Sequence, residues 1–438
     1  MSKVTVIGCL GTVPPDPRLA EATLLVGADR YLSTVDSSAE KLVLGDVITA
    51  MARLAGHDGP AVVFASGDPG FFGIVRALRR IGIDPEVHPA PSSVAVAFAR
   101  LGLPWDDALV VSAHGGAPHS AAHGRLLSRA VNACRAHPKV AVLTGPGAGP
   151  AELGAALRDV PRRLVVAERL GTPEEKLTET TPSHAAQGGW ADPNVVLSLG
   201  ASAAETRWIA GTAPGPAGWA LPDEAFAHRM ITRAEVRALV LARLGPRVGD
   251  LVWDVGAGSG SVAVECARLG AAVIAVERDE AACVDIASNT NRFGVEVAVV
   301  HATAPACLAE LPDPDAVYVG GGGLDVLRAC VERRPGRLVA GYAAVERVGP
   351  ALEALRSNGY RAEGSQLQAN RLAGLPDGTH RLAATNPVYV VSGALTTVSP
   401  LTTVGPLTTV GPVGGALTTV SPVSGALTTG SSASGVRM

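Results

Sequence analysis

An apolar run that stops at an acid, followed by glycines at alternate positions, constrains this chain more than any other feature. Residues 252–260 read Val252-Trp253-Asp254-Val255-Gly256-Ala257-Gly258-Ser259-Gly260. A strand is expected up to Val255. A turn tight enough to need glycine follows, then a helix from Ser261 whose N-terminus backs whatever the turn holds. A second apolar run, Ala271–Val276, ends at Glu277. That is close to the roughly 20-residue spacing at which a second-strand acid meets a ribose hydroxyl. A dinucleotide fingerprint needs its third glycine at position 261, where Ser261 stands, and Gly260 arrives one residue early. A nicotinamide or flavin cofactor and a purely structural turn both stay open.

The spacing Asp254-x-Gly256-x-Gly258-x-Gly260 also resembles motif I of the class I S-adenosylmethionine (SAM) methyltransferases. The resemblance implies that Gly256, Ala257, Gly258, Ser259 and Gly260 wrap the methionine part of SAM while Glu277 holds the ribose. Physically, Glu277 can accept two hydrogen bonds from a diol, and the loop's backbone N–H groups can meet a carboxylate. Otherwise Glu277 is a solvated strand-end acid.

The chain has 438 residues, 47% hydrophobic but only 4% aromatic, so its cores must be built from Ala, Val and Leu. That length suits two domains, and aliphatic runs of this kind suit buried strands in α/β layers. A net charge of −3 argues against general nucleic-acid binding. No apolar stretch reaches membrane-span or signal length, so a cytoplasmic protein is expected. Six cysteines lack any C-x-x-C pair and ten histidines lack ligand spacing, so no metal is expected.

In the first half, strands are expected at Val4–Ile7, Ala61–Ala65, Ala108–Ser112, Val140–Thr144, Leu164–Ala167 and Val195–Leu199, with helices at Ile74–Arg80 and Val94–Leu101. Gly and Pro gather in 206–222, the expected linker. A helix over Thr232–Leu244 then opens the second half. Thr232 and Glu235 read as a capping box, Val236, Leu239, Val240 and Leu244 form an apolar stripe, and Gly245-Pro246 is the stop. Strands follow at Leu251–Val255, Ala271–Val276, Val295–Val300, Ala316–Val319 and Arg337–Ala340, with an antiparallel edge from Arg361–Gln368 and Pro387–Ser392. From residue 393 on, Leu-Thr-Thr recurs with Pro, Gly and Ser, and no charge precedes Arg437. A disordered tail is expected there.

With these elements in place, a fuller resemblance emerges. The glycine loop is joined by Ile231-Thr232-Arg233-Ala234-Glu235, Ala275-Val276-Glu277-Arg278-Asp279, Asn289, Phe293-Gly294, Thr303-Ala304-Pro305 and the run Ala316 to Gly323. Together these resemble the C-terminal, decarboxylating half of the precorrin-6Y C5,15-methyltransferase family of cobalamin biosynthesis. The resemblance places SAM against Thr232, Gly256–Gly260, Glu277 and Ala304. Gly320–Gly323 follows the fourth expected strand, where such a fold has its substrate mouth, with Gly321 as a candidate contact and a merely loose loop as the alternative.

In the first half, Ser66-Gly67-Asp68-Pro69-Gly70-Phe71-Phe72-Gly73 and His88-Pro89-Ala90-Pro91-Ser92-Ser93 stand in order with Pro104-Trp105-Asp106-Asp107. Val111-Ser112-Ala113-His114 and Glu168-Arg169-Leu170-Gly171 follow. These resemble the tetrapyrrole (corrin/porphyrin) methylases, which implies SAM against Gly67, Asp68, Pro69, Ser92 and Ser93, in a cleft between subdomains 1–112 and 113–205. The first loop departs from that family's pattern: Gly8-Cys9-Leu10-Gly11 brings its second glycine late, before Pro14-Pro15.

The domains expected are therefore 1–205, a tetrapyrrole-methylase fold of two α/β subdomains; 223–392, a Rossmann-like class I methyltransferase; and the tail. The resemblance implies SAM-dependent methylation of a precorrin at C5 by the first domain. The second would methylate C15 and decarboxylate the C12 acetate. A substrate ringed with carboxylates calls for cations, and His114, His228, Arg233 and Arg237 are the candidate contacts, with a solvated basic face as the alternative for the arginines. No acid/base residue is assigned. A homo-oligomer is expected, with neither nucleic acid nor membrane as partner. The competing readings are a nicotinamide-dependent reductase, and a single-activity methyltransferase whose first domain only docks substrate.

Overall fold

The computed structural model describes residues 4–44, 47–114, 121–200, 210–211, 215–227 and 230–396. Of the expected tail all but residues 393–396 lies outside these residues, as do 206–209 and 212–214 of the expected linker and His228.

The aliphatic runs fold into three main sheets. The first is fully parallel, ordered β3-β2-β4-β1-β5, from β1 (Val4–Cys9), β2 (Leu24–Gly27), β3 (Glu40–Val43), β4 (Ala61–Ser66) and β5 (Glu86–His88). The second, ordered β6-β7-β10-β8-β9, is antiparallel except between β6 and β7. It is built from β6 (Leu109–Ser112), β7 (Lys139–Leu143), β8 (Arg163–Glu168), β9 (Lys176–Thr180) and β10 (Asn194–Leu199). The subdomain boundary therefore falls earlier than residue 112. The helix Ser93–Leu101 also belongs with the second sheet, since Val94, Ala97 and Phe98 pack with Val165, Ala167, Val195 and Leu197.

The third sheet is ordered β13-β12-β11-β14-β15-β19-β16. Its members are β11 (Leu251–Val255), β12 (Ala272–Glu277), β13 (Ala298–His301), β14 (Ala316–Val319), β15 (Arg337–Tyr342), β16 (Tyr360–Leu367) and β19 (Val388–Leu395). The first five run parallel, and β19 and β16 close the edge antiparallel, as the sequence suggested. Alternation along β11 sends Leu251, Trp253 and Val255 into one core and Val252 into the other. Both faces of the sheet are thus covered, as a parallel sheet requires. Between β16 and β19 a hairpin was not anticipated: β17 (Arg371–Gly374) and β18 (His380–Ala383), with Leu372 opposite Leu382 and both exposed.

Two local expectations are corrected. The helix starts at Ala234, not Thr232, and has no capping box. The Asp223 carboxylate accepts the Ala234 N–H at 2.9 Å, and Glu235 pairs with Arg371 instead. The expected linker also ends in packed structure: the Leu221 N–H donates to Glu265 at 2.7 Å, and its carbonyl accepts from Arg237. A charged helix face that looked free is in fact the anchor for this segment.

The first domain meets the third sheet through the helix Ala121–Ala136. Asn132 donates to the Gly249 carbonyl at 3.1 Å, and buried Arg162 pairs with Glu296. Gly249 and Glu296 precede β11 and β13, so the joint lies at the amino ends of these strands.

Candidate methyl-donor sites

The carboxyl ends of β11, β12 and β14 gather the second-domain residues. Gly256, Gly258 and Gly260 have φ of 74°, 56° and 70°, values that side chains rarely adopt. Gly256 is further constrained, because a Cβ there would lie 2.7 Å from the Gly321 nitrogen. Both Gly320 and Gly321 N–H groups bond to the Val255 carbonyl. Part of the glycine run after β14 therefore serves loop-on-loop packing rather than a ligand alone.

The loop's own amides are already engaged. Gly256 and Ala257 donate to Val276, Gly258 to Glu277, Ser259 to the Met230 carbonyl and Gly260 to Ala257. The expectation that these N–H groups receive a ligand carboxylate is corrected. Glycine is needed here so that the turn can satisfy itself while staying thin.

Glu277 is 8% exposed. It accepts from Gly258 at 2.8 Å on Oε2, and from Arg278 and Asp279 at 2.8 and 3.0 Å on Oε1. Three of about four carboxylate acceptor positions are thus filled, which leaves Oε2 able to take one hydroxyl rather than two. Asp254 caps the helix Ser261–Arg268 by accepting the Ala263 N–H at 2.9 Å, while its other oxygen, like the Ser259 hydroxyl, is buried without a partner. Burial pushes the Asp254 carboxyl up to about 7; the Ala263 bond opposes this and Glu277 adds to it. A buried carboxylate with a spare oxygen is stabilised by a cation. The Thr232 hydroxyl lies 3.2 Å from that of Tyr318, whose backbone pairs in register with Asp254. Ala304 sits just past β13, half-buried against the core. An orphaned acid, a glycine cradle and a strand-end carboxylate fit a nucleoside donor that carries positive charge.

The candidate cations separate. Arg237 is fully buried between Glu265 (3.3 Å) and Asp223 (3.6 Å) and also bonds to the Thr232 and Leu221 carbonyls. It cannot meet a substrate, and that assignment is withdrawn. Arg233 is exposed, 3.2 Å from Asp223. Sequence reasoning overlooked Asp223, which directly follows the presumed linker, and Tyr318, hidden in an aliphatic run.

In the first domain, chain segments far apart in sequence converge. A Cβ on Gly8 would strike the Ala90 nitrogen and the Gly67 carbonyl, each at 2.6 Å, and one on Gly67 would lie 3.2 Å from the Ser93 nitrogen. Asp68 accepts the Gly70 N–H and Pro69 is buried, while Ser92 caps the helix Ser93–Leu101. The late glycine also has a reason: Gly11 (φ 75°) passes so close to the Gly171 carbonyl that no side chain fits. His114 is exposed, with its ring packed over Gly145.

Comparison with known proteins agrees with this two-part layout. Residues 17–186 match the family described as tetrapyrrole (corrin/porphyrin) methylases, and residues 224–388 match the precorrin methyltransferase domain. A precorrin-6Y C(5,15)-methyltransferase [decarboxylating] from Sinorhizobium sp. is 37% identical, over 74% of this chain and 78% of that protein. The protein of the same name from Mycobacterium tuberculosis is 33% identical, over 80% of this chain and 87% of its own length. A probable cobalt-precorrin-6B C(15)-methyltransferase (decarboxylating) from Pyrobaculum calidifontis is 40% identical, but over 39% of this chain and 94% of itself. With both domain families matched in order and the match running through most of each full-length relative, the chain belongs to the decarboxylating precorrin-6Y C5,15-methyltransferases.

Proposed function

We propose that the chain methylates a precorrin at C5 in its first domain, and in its second domain methylates C15 and releases CO2 from the C12 acetate. The observation that carries the second-domain site is the buried Asp254 carboxylate, half satisfied, beneath a glycine cradle with Glu277 alongside. The name of the short Pyrobaculum relative supports assigning C15 transfer and decarboxylation to this half.

SAM, when bound, supplies a methyl group activated on a sulfonium. Glu277 would take a ribose hydroxyl, Asp254 would balance the donor's positive charge, and Thr232, Gly256–Gly260 and Ala304 would shape the cradle. Such residues work by orientation and exclusion of water rather than by proton transfer. Gly321 and Arg233 would border the substrate. In the first domain, Gly67, Asp68, Pro69, Ser92 and Ser93 would hold the donor, and His114 would face the macrocycle. No helix among the described residues is long and apolar enough to cross a membrane. The exposed Leu372–Leu382 pair supports a homo-oligomer.

Mass spectrometry of the tetrapyrrole product tests the assignment. The full chain with SAM and precorrin should yield two added methyl groups and one lost CO2. A single addition, or retention of the carboxyl, would refute it.

A further inference from the structure

A single helical turn, Asp29–Leu32, follows β2 at its carboxyl end. From it the Arg30 guanidinium donates to the Ser66 hydroxyl and lies 4.6 Å over the Tyr31 ring. The Tyr31 hydroxyl closes the arrangement, 3.2 Å from the same Ser66 oxygen and 3.5 Å from the Cys9 carbonyl. The cation is thus fixed onto the ends of β4 and β1 by groups that carry no charge. Several arginines of this domain are neutralised, among them Arg18 by Asp16 and Glu86, Arg53 by Glu40 and Arg100 by Glu175. Arg30 has no ion pair among the described residues.

Ser66 directly precedes Gly67-Asp68-Pro69, so the guanidinium is tied to the loop at the donor cleft. Phe72 projects from that same loop, 49% exposed and with φ of 53°. Its neighbour Phe71 meets it edge-on at 5.0 Å and packs into the second-sheet core, which pins the loop. A left-handed backbone is strained for a phenylalanine, whose Cβ crowds the following carbonyl. That strain is retained where the surroundings impose it, often at ligand sites.

We propose that Arg30 takes a side-chain carboxylate of the macrocycle at the first-domain site, with the Phe72 ring against the flat apolar face. This rests on the reading that the first domain performs C5 transfer. A planar polycarboxylate needs both a fixed, forked cation and an apolar surface, and here one loop carries the two.

Steady-state kinetics of the full chain test it. Arg30→Gln should raise the KM for precorrin in C5 transfer by about tenfold or more, the loss expected for one charge-assisted pair, with kcat nearly unchanged. Arg30→Lys, which keeps the charge and loses the fork, should fall between. The KM for SAM should not move. C15 transfer and decarboxylation by the same molecules should persist, which shows that they are folded. With carboxyl-esterified precorrin, wild type and Arg30→Gln should become alike. An unchanged precorrin KM would overturn the proposal, and so would a rise confined to SAM. Absence of C5 transfer in the unaltered chain would instead overturn the domain assignment.

Discussion

Replacing Arg237 by methionine removes a cation from the least hydrated ion cluster of the second domain. Arg237, Asp223 and Glu265 are each at most 1% exposed. The guanidinium lies 3.3 Å from Glu265 and 3.6 Å from Asp223, bonds to two carbonyls, and sits 4.7 Å over Phe226. Removing one partner of such a pair costs about 3–5 kcal/mol. The lower end applies here, because Asp223 keeps Arg233, Arg371 and the Ala234 N–H, while Glu265 keeps Arg268 and the Leu221 N–H. For a domain of this size each kcal/mol moves Tm by roughly 2–4 °C, so the variant should melt about 6–12 °C lower by differential scanning calorimetry.

The loss should also depend on pH. Burial alone would raise the Asp223 carboxyl, but hydrogen bonds from Arg233 and Ala234 and the charges of Arg237 and Arg371 outweigh it and hold it below 3.8. An acid lowered on folding stabilises above its unfolded pKa and loses that contribution as pH falls through the folded one. The deficit of Arg237→Met should therefore shrink toward about pH 4 and below. A variant that melts like wild type but binds precorrin weakly would refute the argument and return Arg237 to the substrate.

Two further outcomes bear on the donor cradle. Glu277→Ala should weaken S-adenosylhomocysteine binding at the second site by about 1–3 kcal/mol in calorimetric titration, with C5 transfer intact; equal loss of both transfers would contradict separate sites. Asp254 is raised on folding from 3.8 to about 7, so the folded state holds the extra proton between those values and stability declines as pH rises through that window. Asp254→Asn should flatten the profile there and lower donor affinity, and an unchanged slope in urea unfolding would count against the assigned burial cost.

Much of the third sheet was legible because its strands are buried on both faces and therefore read as unbroken aliphatic runs. Leu251–Val255 and Ala316–Val319 match their strands residue for residue. β3 and β9 were missed because their exposed positions carry Glu40, Lys41, Lys176 and Glu179, which leave no apolar signal. The glycine loop announced itself through the strain that only glycine tolerates. Its use of its own amides did not, since that depends on Met230 and Val276 arriving from elsewhere in the chain. Arg237 misled for a similar reason: its two carboxylates lie 14 residues before and 28 after it, and helical periodicity registers neither.

Asn132, on the helix Ala121–Ala136, and Arg162, just before β8, hold the amino ends of β11 and β13, while Asp254 and Glu277 lie toward the opposite rim. Parting the halves would release Asn132 and Arg162 and uncover Ala136, which packs on the third-sheet core, whereas the hydrogen bonds that Asp254 and Glu277 accept all come from their own half. Tethering two unrelated folds in this fashion adds proximity without rewriting either one.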